Sequence, residues 1–204
     1  MSDPKSILIE DVRKLLSGYN SSEFTFQNLA RDLNMPVDIL ISAFGDETGL
    51  VEEILNYEQQ NLENIFSEFD FSTSNAIDGL LKVSREISNK FVNILPSITF
   101  DLRTQFPEAR QKFVEKRVSF VSAKIKSNFE QGMSQGMYRP DLSAELVSRI
   151  YISRLIDLHN PDFFPNEIIS FSVLFEVMFD TFIRGICTDE GKSFYEKKIK
   201  YFKI

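Results

Sequence analysis

The sequence predicts an all-α protein of about nine to ten helices, with a small N-terminal three-helix unit followed by a larger helical domain. Three observations predict it. Apolar residues recur at spacings of three and four along the 204 residues, the period of one face of a helix. Val, Ile and Thr do not alternate with polar residues over any long run, as half-buried strands require. Gly and Pro fall between the periodic segments. Hydrophobic residues make up 43% of the chain, enough for a sizeable core.

The first helix is expected over about Lys5 to Gly18, with Ile7, Val12, Leu15 and Leu16 apolar and Gly18 to Ser22 as its stop. The second starts at Thr25, whose hydroxyl can cap the first-turn N–H groups. Phe24 and Leu29 stand at the spacing of a hydrophobic staple around that cap. This helix runs to Leu33, where Asn34 suits a left-handed turn. Pro36 opens a third, short helix ending near Phe44. After Gly45, Asp46 is the expected cap of a long helix from Glu47 to Phe69. Ser72 to Asn75 is a turn, and helices follow over Ala76 to Ile94, Ser97 to Phe106 and Pro107 to Gln135.

In the last of these, Val114, Val118, Val121, Ile125 and Phe129 form one stripe, while Phe113 and Phe120 lie about 100° around it. Two apolar faces suit a central helix. A turn at Gly136 to Asp141 follows, with Asp141 the expected cap of a helix to Leu158. Asn160-Pro161-Asp162 breaks that helix, and a very apolar one is expected from Pro165 to Ile186. The last helix covers Asp189 to Lys200.

The net charge is −7, which argues against a mainly electrostatic attraction to nucleic acid or to an anionic membrane. The single Cys187 cannot form an internal disulfide, which fits a reducing cytoplasm. The N-terminal MSDPKSILIEDV lacks the features of a signal peptide. The most apolar stretch, Ile168 to Ile186, is interrupted by Glu176, Asp180 and Arg184, so it reads as a buried helix rather than a membrane span.

No P-loop, dinucleotide fingerprint or CxxC is present, and no carboxylate pair stands at an obvious metal spacing. His159, the only histidine, sits beside Asn160-Pro161 at a helix end, where capping suits it better than catalysis. The chain is therefore expected to have no catalytic site, no metal and no cofactor.

Phe24 to Leu50 resembles the helix-turn-helix of the TetR family. The matching residues are Thr25 at the cap, the pair Leu29-Ala30, the turn Leu33-Asn34-Met35, and Phe44-Gly45-Asp46 before Leu50. The later layout is similar too, with Arg139-Pro140-Asp141 before the penultimate helix pair and Phe182 to Ile186 closing the long apolar helix. The resemblance implies a helix-turn-helix domain over residues 1–47 and a ligand-binding and dimerisation domain over 48–204. There are departures. Ile41 stands where the family usually has Tyr, Glu47 where it has a phosphate-binding Lys, Asn34 where it has Gly and Pro36 where it has Ser. Within residues 1–50, Lys5, Arg13, Lys14 and Arg31 face Asp3, Glu10, Asp11, Glu23, Asp32, Asp38, Asp46 and Glu47, four against eight, a net −4. DNA readers ordinarily carry a basic footprint.

If the head holds DNA, Thr25 and the N–H groups opening the second and fourth helices are the expected phosphate contacts, with Glu47 at the family's lysine position. Gln27, Val37, Asp38 and Ser42 are the groove candidates; Val37 suits a thymine methyl and Asp38 a cytosine amino group. The chain has 20 Phe and no Trp, a composition able to line an apolar cavity. The resemblance implies such a pocket for a small apolar effector, with Phe91, Leu95, Phe113, Phe120 and Tyr151 as candidates.

It further implies a homodimer through the last long helix pair, with Ile152, Leu155, Phe175, Met178, Phe179 and Phe182 at the contact. Two functions follow as expectations. One is a dimeric, ligand-responsive regulator, a repressor that binds operator DNA. The other is a dimer of the same fold that has lost DNA affinity and binds small molecules or proteins.

Overall fold

A computed structural model describes residues 4–16, 24–68, 74–91, 105–158, 163–164 and 170–200, with the backbone alone for Lys90, Phe91 and Phe171. Among the described residues there are nine α-helices and one isolated β-bridge, between Tyr138 and Cys187. We number the helices α1 (Pro4–Leu15), α2 (Phe26–Asp32), α3 (Val37–Phe44), α4 (Glu47–Ser67), α5 (Ala76–Phe91), α6 (Pro107–Ser134), α7 (Ala144–Asp157), α8 (Phe171–Ile186) and α9 (Asp189–Ile199). The all-α expectation holds. The stop at Gly18 to Ser22, most of the helix at Ser97 to Phe106, Leu95, His159, Ile168 and Ile169 lie outside the described residues.

The chain divides into two compact units. The first comprises Met1–Asn61 with Ile94–Glu115, and the second Leu62–Asn93 with Lys116–Ile204. The first unit has a hydrocarbon core of Ile9, Val12, Phe24, Phe26, Leu29, Leu40, Phe44, Leu50, Ile54 and their neighbours. Phe24 meets Phe106 edge to face, ring centroids 5.8 Å apart. Full burial of each such side chain contributes roughly 1.5–3 kcal/mol.

In the second unit, Val121, Ile125 and Phe129 of α6 are buried, as the stripe predicts, and Phe120 meets Phe66 edge to face at 5.4 Å. Asn128 donates to the carbonyl of Ala76 (2.8 Å) and accepts from the hydroxyl of Tyr138 (3.2 Å). Tyr138 also stacks on Phe129. Burial pushes its hydroxyl well above the ordinary tyrosine range, so this ring titrates at no physiological pH and serves as a fixed donor.

The turn at 136–139 is tied to the segment before α9. Thr188 N–H donates to Met137 O (3.0 Å), Arg139 N–H to Ile186 O (2.9 Å), and the Thr188 hydroxyl to Gly136 O (2.8 Å). The same Thr188 oxygen accepts from Gly191 N–H and caps α9.

Two start signals differ from expectation. Asp141 does not cap α7; Ser143 does, accepting from Leu146 N–H. The carboxylate of Asp141 is held by the Arg139 guanidinium instead, at 3.1 and 2.6 Å. That pairing holds the Asp141 carboxyl below its usual range. The apolar helix begins at Phe171, with Ser170 as its extended N-cap, rather than at Pro165.

Candidate nucleic-acid interface

Local chemistry builds α2, the turn and α3. Thr25 is extended at the N-cap and accepts from Asn28 N–H at 3.3 Å. Phe24 and Leu29, the staple residues, are both buried. At the other end Asn34 takes φ 52°, and two hydrogen bonds close the turn, Asn34 N–H to Arg31 O and Met35 N–H to Ala30 O. These are the paired bonds of a Schellman stop, with asparagine in the left-handed position. Pro36 sits at the N-cap of α3, one residue earlier than a first-turn proline, and offers no side-chain bond. Gly45 ends α3 at φ 80°, and Asp46 caps α4 by accepting from Gly49 N–H at 2.8 Å.

This arrangement is a helix-turn-helix with a defined outward face. On α3, Leu40 and Phe44 point into the core while Asp38, Ile39, Ile41 and Ser42 are exposed. Of the expected groove residues, Gln27, Asp38 and Ser42 lie at the surface, and Val37 is half-buried against the core. Ile39 was not among the groove candidates. The turn of the helix could have found it, because burying 40 and 44 leaves 38, 39, 41 and 42 outside.

Glu47 lies in the first turn of α4, and its Oε1 accepts from Phe26 N–H at 2.8 Å. Its carboxylate therefore satisfies an opening N–H of α2, while Thr25 takes a second. The N–H groups expected to hold phosphate at the starts of α2 and α4 are in these instances engaged by the chain's own side chains. The basic residues are engaged too. Lys5 pairs with Glu53 (2.7 Å), Arg13 with Glu58 (3.5 Å), Lys14 with Asp11 (2.8 Å) and Arg31 with Asp32 (2.9 Å). The hydrogen bond to Asp11 pushes the Lys14 ammonium above its ordinary range.

The residues expected at an effector pocket make separate contacts. Phe113 packs against the core of the first unit. Phe120 rests on Phe66, and Tyr151, fully buried, on Phe182 at 4.7 Å. Leu95 and the side chain of Phe91 lie outside the described residues. A groove of about 430 Å³ in the second unit is lined by Leu158, Phe163, Leu174, Val177 and Met178, with Arg154 and Asp157 at its charged edge. Phe113, Phe120 and Tyr151 are not among its lining residues.

The expected dimer contacts lie mostly inside the second unit. Ile152, Phe175, Met178, Phe179 and Phe182 are buried within the chain, and Leu155 is half-buried. An outward apolar strip exists on the same two helices, but Leu146 and Ile150 of α7 and Val173 and Val177 of α8 make it, each more than half exposed. The bulky rings went inward because they fill the most core volume, and smaller side chains were left on the outer side. Among the described residues no group of side chains is placed to hold a metal ion, and no helix is long and apolar enough to cross a membrane.

No family model matches the sequence, and no curated protein does. Solved structures do match the fold. PfmR, a TetR-family regulator from Thermus thermophilus, aligns over 87% of this chain and 97% of its own at 18% identity, TM-score 0.68. A tetR-family regulatory protein from Rhodococcus aligns over 93% and 100% at 16% identity, TM-score 0.69. A Saccharomonospora viridis protein described as a transcriptional regulator, solved in complex with choline, aligns over 92% and 100% at 14% identity, TM-score 0.70. Agreement over nearly all of each chain shows that this protein has the all-helical TetR-type fold.

Proposed function

We propose that the protein is a transcriptional regulator that binds duplex DNA as a homodimer, acts as a repressor and is released by a small apolar effector. The observation that carries this reading is the helix-turn-helix. Its cap, staple, left-handed stop and buried Leu40 and Phe44 hold α3 with one face outward, the placement a recognition helix needs.

In this reading residues 1–47 are the DNA-binding head and 48–204 the effector and dimerisation domain, working in the cytoplasm without catalysis. Thr25, Gln27, Asp38 and Ser42 meet the operator. Leu146, Ile150, Val173 and Val177 meet the second copy. Two heads would then read half-sites about 34–36 Å apart. Phe113, Phe120 and Tyr151, with Phe91 and Leu95, remain the proposed effector contacts. Effector and DNA oppose one another through a reciprocal coupling free energy.

The engagement of Lys5, Arg13, Lys14, Arg31 and Glu47 favours a second reading, a head that has lost its grip on phosphate. One measurement separates the two. The purified protein is titrated against a randomised duplex pool at low salt, then over rising salt. The first reading expects binding at low salt; its absence leaves the second. Glu47→Lys removes the carboxylate from Phe26 N–H and adds a cation. A working head should gain affinity, with a salt slope steeper by about one.

A further inference from the structure

The outward face of α3 narrows what that helix can read. Successive residues are about 100° apart. With Leu40 and Phe44 buried, Asp38 and Ser42 take the centre of the opposite face, and Ile39 and Ile41 take its two flanks. Ile39 is 46% exposed and Ile41 48%. The face thus offers one carboxylate, one hydroxyl and two branched hydrocarbons. No residue of α3 is Arg, Lys, Asn or Gln.

Guanine is read in the major groove by paired donors to O6 and N7, and adenine by an amide spanning N6 and N7. α3 carries neither device. The Ser42 hydroxyl can bond several bases and discriminates little, so the specific features that remain are the thymine C5-methyl group for hydrocarbon and the cytosine N4 amino group for a carboxylate. The engaged cations of the first unit also leave groove contacts a larger share of whatever affinity the head has.

Resting on the regulator reading above, we propose that Ile39 and Ile41 select operators by contacting thymine C5-methyl groups, with Asp38 accepting from a cytosine amino group between them.

The test uses the intact protein and duplexes that it enriches from a randomised pool. Each enriched duplex is remade with deoxyuridine in place of thymidine, which removes the C5-methyl and leaves base pairing intact. Each lost methyl contact should weaken binding about fourfold, the transfer worth of one buried methyl group. The double variant Ile39→Ala, Ile41→Ala truncates exposed side chains. It should keep the helical circular dichroism and melting temperature of the parent and bind the thymine and uracil duplexes equally.

Equal binding of the unmodified protein to both duplexes overturns the inference and leaves the regulator reading standing. A selected half-site whose discriminating contact is guanine rather than thymine does the same. Failure to enrich any duplex at low salt overturns the regulator reading, and this inference falls with it.

Discussion

The helix-turn-helix of residues 24–50 and the turn at 136–139 both end a helix in the same way, yet they are held by different kinds of contact. After α2, Asn34 takes the left-handed position; after α6, Gly136 does, at φ 73°. Around Asn34 much of the support is local, from short-range caps and buried hydrocarbon. Thr25 and Asp46 cap neighbouring N–H groups within three residues of themselves, and Phe24, Leu29, Leu40 and Phe44 bury hydrocarbon. Around Gly136 the turn is tied to a remote segment through Thr188, Ile186 and Gly191, while Asn128 and Gly132 of the preceding helix hold the Tyr138 ring. Local support can be read from a sequence window, whereas long-range support requires partners that only the folded chain brings together.

The largest effect should come from the apolar region. Leu29 is fully buried. Leu29→Ala should lower stability by about 3 kcal/mol, the usual loss of transfer energy plus an unfilled cavity. A chemical-denaturation midpoint measures it. A loss below about 1 kcal/mol would mean that the head collapses around the gap and is not tightly packed.

The long-range region should respond to added volume instead. A Cβ on Gly132 would lie 2.0 Å from the Tyr138 ring, and one on Gly191 would lie 2.0 Å from the Met137 carbonyl oxygen. Gly132→Ala and Gly191→Ala should each cost about 1–3 kcal/mol from overpacking. At Gly132 the ring cannot turn aside without breaking its bond to Asn128. Cys187 gives a second readout, since burial pushes its thiol up to about 11 and shields it. Gly191→Ala should speed its alkylation at pH 8. Protection equal to that of the parent would show that the segment absorbs the methyl group.

The two left-handed stops can be compared directly. Asn tolerates positive φ better than most residues because its short side chain bonds locally, and Gly tolerates it best. Asn34→Ala should cost about 1–2 kcal/mol, and Asn34→Gly should be neutral or stabilising. A destabilised Asn34→Gly protein would mean that the asparagine side chain holds something beyond the turn.

Much of the head was legible in the sequence because its signals are local. Thr25, the Phe24–Leu29 staple, Asn34 and Asp46 each act within a few residues, and the structure places all of them as expected. Glu47 was legible as a departure from a pattern but not as the partner of Phe26 N–H, which stands 21 positions away. For α7 and α8 the periodicity showed that both helices are rich in apolar surface. It did not show which side faces in, because ten of the sixteen residues of α8 are apolar and they spread around most of the helix. The rings of Phe175, Phe179 and Phe182 took the core and left Val173 and Val177 outside.

The smallest expected effect concerns the start of α7, where Ser143 rather than the expected Asp141 is the cap. Asp141 and Ser143 are both good N-cap types, and carboxylates rank with hydroxyls there. The Arg139 guanidinium takes both oxygens of Asp141, and the hydroxyl of Ser143 accepts from Leu146 N–H. Ser143→Ala should therefore cost about 1 kcal/mol, the worth of a lost cap. Asp141→Ala removes only a solvent-exposed ion pair and should leave the thermal midpoint where it is. The Arg139→Ala variant sharpens the comparison. It frees the Asp141 carboxylate to compete for the helix start, so Ser143→Ala should cost less in that background than alone. If the two changes simply add, the Arg139–Asp141 pair has no bearing on which residue caps α7.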